Sequence, residues 1–119
     1  MITGLRLRIN AGLWWCLLLG PCGGASAQDD LFEKAAEILE MRCVQCHKPQ
    51  DSRGGLSLHS RQAAMDGGER GAALVAGNPE ASLLVQLISG DSPEMPQSGN
   101  RLEEHEISTP RAWIAAGLP

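Results

Sequence analysis

The run Cys43-Val44-Gln45-Cys46-His47 constrains this chain more than any other feature, because two thiols followed at once by an imidazole leave few uses open. Side chains three positions apart share one face of a helical turn. Both thiols can therefore add to a single macrocycle while the adjacent imidazole reaches its metal, which is the pattern of c-type haem attachment. A bare C-x-x-C also serves as half a zinc site or as a thioredoxin-like redox pair. The rest of the chain has to decide among the three.

Residues 1–27 read as an export signal. Arg6 and Arg8 give a positive start, Ala11 to Gly20 an apolar centre, and Ala25-Ser26-Ala27 a cleavage site before Gln28. The apolar centre falls short of the ~20 residues a spanning helix needs, so no stable membrane insertion is expected after cleavage. Cys22 raises a lipid-anchor reading, which Pro21 directly before it disfavours. Cleavage after Ala27 leaves residues 28–119, enough for one small domain. It also removes Cys16 and Cys22, so Cys43 and Cys46 remain alone and a multi-disulfide scaffold is excluded. A zinc site wants four ligands, and His59 and His105 show no regular pairing with the cysteines. A lone exported dithiol, or a Cys43–Cys46 disulfide, stays open as a minor alternative. Haem attachment suits the compartment better, since covalent c-type assembly takes place outside the cytoplasmic membrane. Periplasmic or otherwise exported localisation is the expectation, with haem-attachment machinery as a partner during maturation.

Composition points the same way. Once Trp14 and Trp15 leave with the signal, Phe32 and Trp113 are the only aromatic residues left for a core. Domains of this size are marginal without a metal, crosslink or cofactor, and a covalent macrocycle supplies the missing apolar bulk. With Arg6 and Arg8 removed, eight basic side chains face fourteen acidic ones, a net of −6. That balance argues against nucleic acid and permits a redox protein partner of unspecified identity.

Helical periodicity predicts a first helix capped by Asp29 and Asp30, carrying Leu31, Phe32, Ala35, Ile38 and Leu39 on one stripe and closing at about His47. Lys48 to Leu56 reads as loop, with Leu56-Ser57-Leu58 extended. Ser60 caps a brief helix through Met65 that stops at Gly67-Gly68. Asn78-Pro79 starts a helix with Ala81, Leu84, Val85 and Ile88 inward, ending at Gly90. Asp91 to Arg101 is loop. A last helix runs from about Leu102 to Ala116, and Pro110 predicts a kink or break in it, with Thr109 as a fresh cap. Phe32 and Trp113 are expected to pack where the first and last helices cross.

His47 is the expected proximal iron ligand. Met95 is the leading candidate for the sixth, because its loop lies far enough beyond the motif for the chain to wrap back, and Pro93 and Pro96 restrict that loop before folding. Met65, His59 and His105 are its rivals. Met41 lies too close to Cys43 on the same helix to cross over. A filled sixth position argues for electron transfer, whereas an open one permits peroxide or gas chemistry, and no arginine–histidine pair suited to such catalysis stands out. Gly54-Gly55 lets the backbone pass close to a haem edge. Arg53, Arg61 and Arg70 are candidates to hold a propionate, with solvated side chains as the simpler reading.

From Leu31 to Pro119 the chain resembles the planctomycete-type cytochrome c domain, a small class-I-like haem domain. The resemblance runs through the C-x-x-C-H segment, Gly54 to Ala64, Gly77-Asn78-Pro79-Glu80-Ala81-Ser82-Leu83-Leu84, Met95-Pro96, Glu106-Ile107 and Trp113 to Gly117. It implies an all-α, cytochrome c-like fold of about four short helices wrapped around one covalent haem, with long loops. It further implies haem c on Cys43 and Cys46, with its iron held by His47 and Met95. The chain departs from the family pattern at His59, usually aspartate, and at Pro110, usually a leucine-like helical position. Such domains often open larger exported proteins, and this sequence stops at Gly117-Leu118-Pro119, where a linker is expected to begin. A free-standing exported monohaem electron carrier is the leading expectation, more a carrier than a catalyst. The haem domain of a truncated larger oxidoreductase or hydrolase-like protein, or an open-iron haem enzyme or sensor, is the alternative.

Overall fold

The computed structural model describes residues 26–119. The segment read as an export signal lies outside the described residues apart from Ser26 and Ala27. Among the described residues, no helix is long and apolar enough to cross a membrane.

Helix α1 spans Ala27–Leu39. Its cap is Ser26, not Asp29 or Asp30 as expected. The Ser26 hydroxyl accepts from the Asp29 N–H at 3.3 Å while the Asp29 carboxylate accepts from the Ser26 N–H at 3.0 Å. This reciprocal box satisfies two otherwise orphaned backbone donors, and puts the Asp29 and Asp30 charges at the positive end of the helix dipole. The helix does not continue regularly to His47. It widens into a π-helical turn over Glu40–Val44, which lodges Cys43 and Val44 against the core and leaves Met41 in solvent.

A two-residue antiparallel ribbon follows, β1 (His47–Lys48) against β2 (Asp51–Ser52), within the stretch read as loop. A 3₁₀ turn at Arg53–Gly55 then leads into extended chain at Leu56. Helix α2 (Arg61–Asp66) begins as expected, with the Ser60 hydroxyl accepting from Ala63 N–H. It stops at Gly67, whose φ of 80° and closeness to Gly71 exclude a side chain, since a Cβ would lie 2.1 Å from the Gly71 carbonyl.

Asn78 caps as read, but what it caps is a 3₁₀ turn over Pro79–Ala81 rather than one long helix. The break comes at Ser82, which is fully buried; its hydroxyl accepts from Val75 N–H at 2.9 Å and donates to the Asn78 carbonyl at 2.9 Å. Ala81 consequently points outward and Ser82 takes the interior position. Helix α3 then runs Leu83–Ile88. Ser82→Ala leaves the Val75 N–H without its acceptor, and we expect a loss of about 1–3 kcal/mol. At about 4–8 °C of melting temperature per kcal/mol for a domain of this size, thermal melts followed by circular dichroism read the effect directly.

Helix α4 covers Glu104–Ala115 without the break expected at Pro110. Proline there removes one backbone hydrogen bond and crowds the Glu106 carbonyl. Two features offset that cost: the ring is fully buried, and a Glu103–Glu106 capping box holds the first turn. The helix ends in a Schellman motif, with Gly117 N–H donating to Ile114 and Leu118 N–H to Trp113. Leu118 is 1% exposed, so the segment expected to begin a linker belongs to the core. Phe32 and Trp113 meet as read, with ring centroids 5.9 Å apart where α1 packs on α4. The core joins Ala35 and Leu39 of α1 to Leu58, Ala64, Leu74, Leu84, Val85, Trp113 and Ile114. The domain is helix-rich with one minimal ribbon, consistent with a small cytochrome-like fold.

Candidate functional site

Two adjoining clefts, of about 660 and 1050 Å³ and both open to solvent, lie between the end of the π turn, the ribbon, α3 and the loop after it. Cys43, His47 and Met95 line both, and Cys46 lines the larger. All four residues singled out by the sequence therefore border one region, although three come from the first half of the domain and the fourth from a loop beyond α3. The rivals do not line these clefts. His59 faces a separate cleft beside α1 and accepts or donates a hydrogen bond with Ser57, while His105 sits exposed beside Glu103. Met65 is partly exposed on α2.

The smaller cleft is apolar, walled by Leu56, Leu58, Leu83, Leu84, Leu87 and Ile88. Leu83 and Leu87 were missed by the sequence reading. Their signal was present: α3 is Leu83-Leu84-Val85-Gln86-Leu87-Ile88, apolar on nearly every side, and a helix of that kind needs two faces covered. Leu84, Val85 and Ile88 turn to the core. Leu83 and Leu87 turn to the cleft.

His47 Nδ1 lies 3.1 Å from the Arg53 carbonyl. A carbonyl only accepts, so Nδ1 carries the proton and Nε2 is left with its lone pair, the arrangement that orients a metal-binding imidazole. The ribbon and the Leu58 N–H, which donates to the His47 carbonyl at 2.7 Å, fix the backbone beneath the ring. Both thiols are free and half-buried. Burial pushes the Cys43 thiol up to about 11, Arg42 pulls it partly back, and Glu106 and Cys46 add to the rise. Among the described residues no group of three or more His, Cys, Asp or Glu comes together, so the thiols have no second pair of zinc-type ligands beside them.

The loop carrying Met95 is tied on several sides. Met95 N–H donates to the Leu87 carbonyl at 2.9 Å, Arg101 to the Gly90 carbonyl at 2.6 Å, and Arg42 to the Asn100 carbonyl at 2.6 Å. The Met95–Pro96 peptide is cis. Arg70 forks onto the Glu94 carboxylate at 2.7 and 3.5 Å, which holds that carboxyl below the usual glutamate range. Arg53 and Arg70 both stand at the cleft, whereas Arg61 is directed to the Leu118 carbonyl and lines the separate cleft.

These residues fit a haem. A thiol pair, an imidazole with a free Nε2, a thioether, apolar walls and the guanidinium groups of Arg42, Arg53 and Arg70 line these adjoining clefts. Residues 43–99 match the family model described as Planctomycete cytochrome C, a span that opens on Cys43 and takes in Cys46, His47 and Met95. Neither the curated proteins nor the solved structures return a match. The match supports a planctomycete-type cytochrome c domain over the segment that builds the cleft, and that family implies covalently bound haem c with its iron.

Proposed function

We propose that the chain is an exported monohaem electron carrier in which Cys43 and Cys46 hold the haem by thioether bonds and His47 and Met95 fill the two axial positions of the iron. The observation that carries this reading is the convergence of those four side chains on one cleft whose inner part is apolar. When bound, the haem supplies a one-electron ferric/ferrous couple. The chain's own residues do the rest. His47 Nε2 is aimed by the Nδ1 bond to Arg53, and the Met95 backbone is moored to α3. Leu56, Leu83, Leu87 and Ile88 keep water from the buried faces, which favours the less charged state of the centre. Arg53 offers positive charge to a carboxylate at the rim, while the Arg70 guanidinium is engaged by Glu94.

The Cys43 thiol bears on assembly. A thiolate is the reactive form, and a thiol raised to about 11 by burial is almost wholly protonated at neutral pH. Burial of Cys43 thus favours attachment before the fold closes around it, which suits a chain handed unfolded to attachment machinery after export. The carrier's partner is a redox protein, and the net charge of −6 on the span after the signal speaks against nucleic acid.

The test is a pyridine haemochrome spectrum of the purified exported protein together with acid–acetone extraction. One haem per chain, retained by the polypeptide after extraction, is expected. A colourless folded protein with two titratable thiols overturns the proposal in favour of a haem-free redox or interaction module.

A further inference from the structure

We propose that Arg70 and Glu94 strap the Met95 loop across the mouth of the cleft and so set how readily Met95 yields its place to a foreign ligand; this rests on the assignment of Met95 as the sixth ligand. Two of the other ties reach the loop from its own neighbourhood, and the third comes from the π turn. The Leu87 carbonyl belongs to the helix that leads into it, Arg101 closes its base onto Gly90, and Arg42 grips Asn100 near its far end. Arg70 also arrives from elsewhere in the chain, 24 residues earlier, and unlike Arg42 it grips the side chain of the residue next to Met95.

A strap needs a fixed anchor, and Arg70 has one. It sits in a turn closed by two hydrogen bonds between Gly68 and Gly71, each 3.0 Å, and pinned to the neighbouring wall by Glu69 N–H donating to the Gly54 carbonyl at 2.8 Å. The packing there is tight: a Cβ on Gly68 would lie 2.5 Å from the Gly54 carbonyl. The guanidinium and carboxylate meet as a two-pronged fork, the geometry in which an arginine pair restricts orientation as well as distance. Both side chains are more than half exposed, so the attraction is modest and sensitive to salt. The strap thus biases the loop without locking it.

The experiment titrates the ferric, haem-loaded protein with imidazole, which competes with Met95 for the iron, and follows the visible spectrum. Arg70→Ala and Glu94→Gln are each expected to tighten imidazole binding roughly two- to fivefold at low salt. The double variant should show no further gain, and all the proteins should converge near 1 M salt, where screening reaches within ~3 Å. Unchanged affinity in both single variants overturns the strap. So does an effect of Arg70→Ala with none from Glu94→Gln, because the guanidinium then serves another anion, and so does a difference that survives high salt. Met95→Ala is the control for the underlying assignment: if it binds imidazole no more tightly than the parent, the ligand assignment has failed rather than the strap.

Discussion

Cys43→Ala/Cys46→Ala yields a chain that carries no covalent haem and, freed of haem, melts about 10–25 °C below the haem-loaded parent. The reason lies in what the cleft leaves uncovered. Of its walls, Leu58, Leu84 and Ile88 are already buried in the protein core, whereas Leu56, Leu83 and Leu87 are only partly covered and without a macrocycle meet water. At ~1 kcal/mol for each of these three, a share of the 1.5–3 kcal/mol gained by fully burying such a side chain, the loss comes to about 3 kcal/mol. A domain of this size has roughly 5–15 kcal/mol to lose. The remaining core has few large pieces to compensate: Trp113 is buried, but its aromatic neighbour Phe32 is 45% exposed. The expected result is a far-ultraviolet thermal transition lowered by about 10–25 °C, measured beside the haem-loaded parent. A haem-free double variant that melts cooperatively within a few degrees of the parent sinks the claim that the cofactor completes the core.

The same balance between local and distant forces decides which parts of this domain were legible in its sequence. Ser60 and Asn78 were readable as caps because capping is a matter of one side chain and a backbone N–H three residues on. The C-x-x-C-H segment was readable because its chemistry is equally local. Ser26 was overlooked for a different reason: it falls inside the stretch read as a signal. In the chain as described it caps α1. The π turn has no local signature. It lies where Arg42 reaches out to Asn100 and Glu106, residues far along the chain. Pro110 misled because its backbone cost is local and visible, whereas the burial that offsets it depends on what α4 packs against. Leu118 misled in the same manner, since Gly117 marks a helix end but says nothing of whether the next side chain turns inward. Within the site, all four proposed haem-contacting residues could be named from the sequence. The strap at Arg70 and Glu94 could not, because opposite charges 24 positions apart are unremarkable until the fold brings them together.

Met95→Ala is expected to keep the covalent haem, to abolish the weak far-red absorption band that a thioether gives ferric iron, and to let carbon monoxide bind the ferrous protein at neutral pH. The argument starts from where the loop is held. Its ties run through the Met95 backbone N–H, the Glu94 carboxylate and the two ends of the loop, none of which is the Met95 side chain. Removing the thioether leaves those hydrogen bonds in place and takes away the contact of the Met95 side chain with the core. Attachment depends on Cys43 and Cys46, and His47 keeps its hydrogen bond to Arg53, so the proximal side is undisturbed. Thioether ligation raises the potential of a haem. Its loss should lower the potential on the order of 100 mV, a moderate fraction of the ~0.8 V that axial ligands span. If instead the far-red band persists, the sulfur reaching the iron is another methionine. Met65 is then the residue to substitute next, and α2 must approach the cleft more closely than its present packing on the Ala73–Leu74 segment allows. The two outcomes separate cleanly, because Met65 does not line either cleft and its own substitution should leave band, potential and carbon monoxide exclusion as they are.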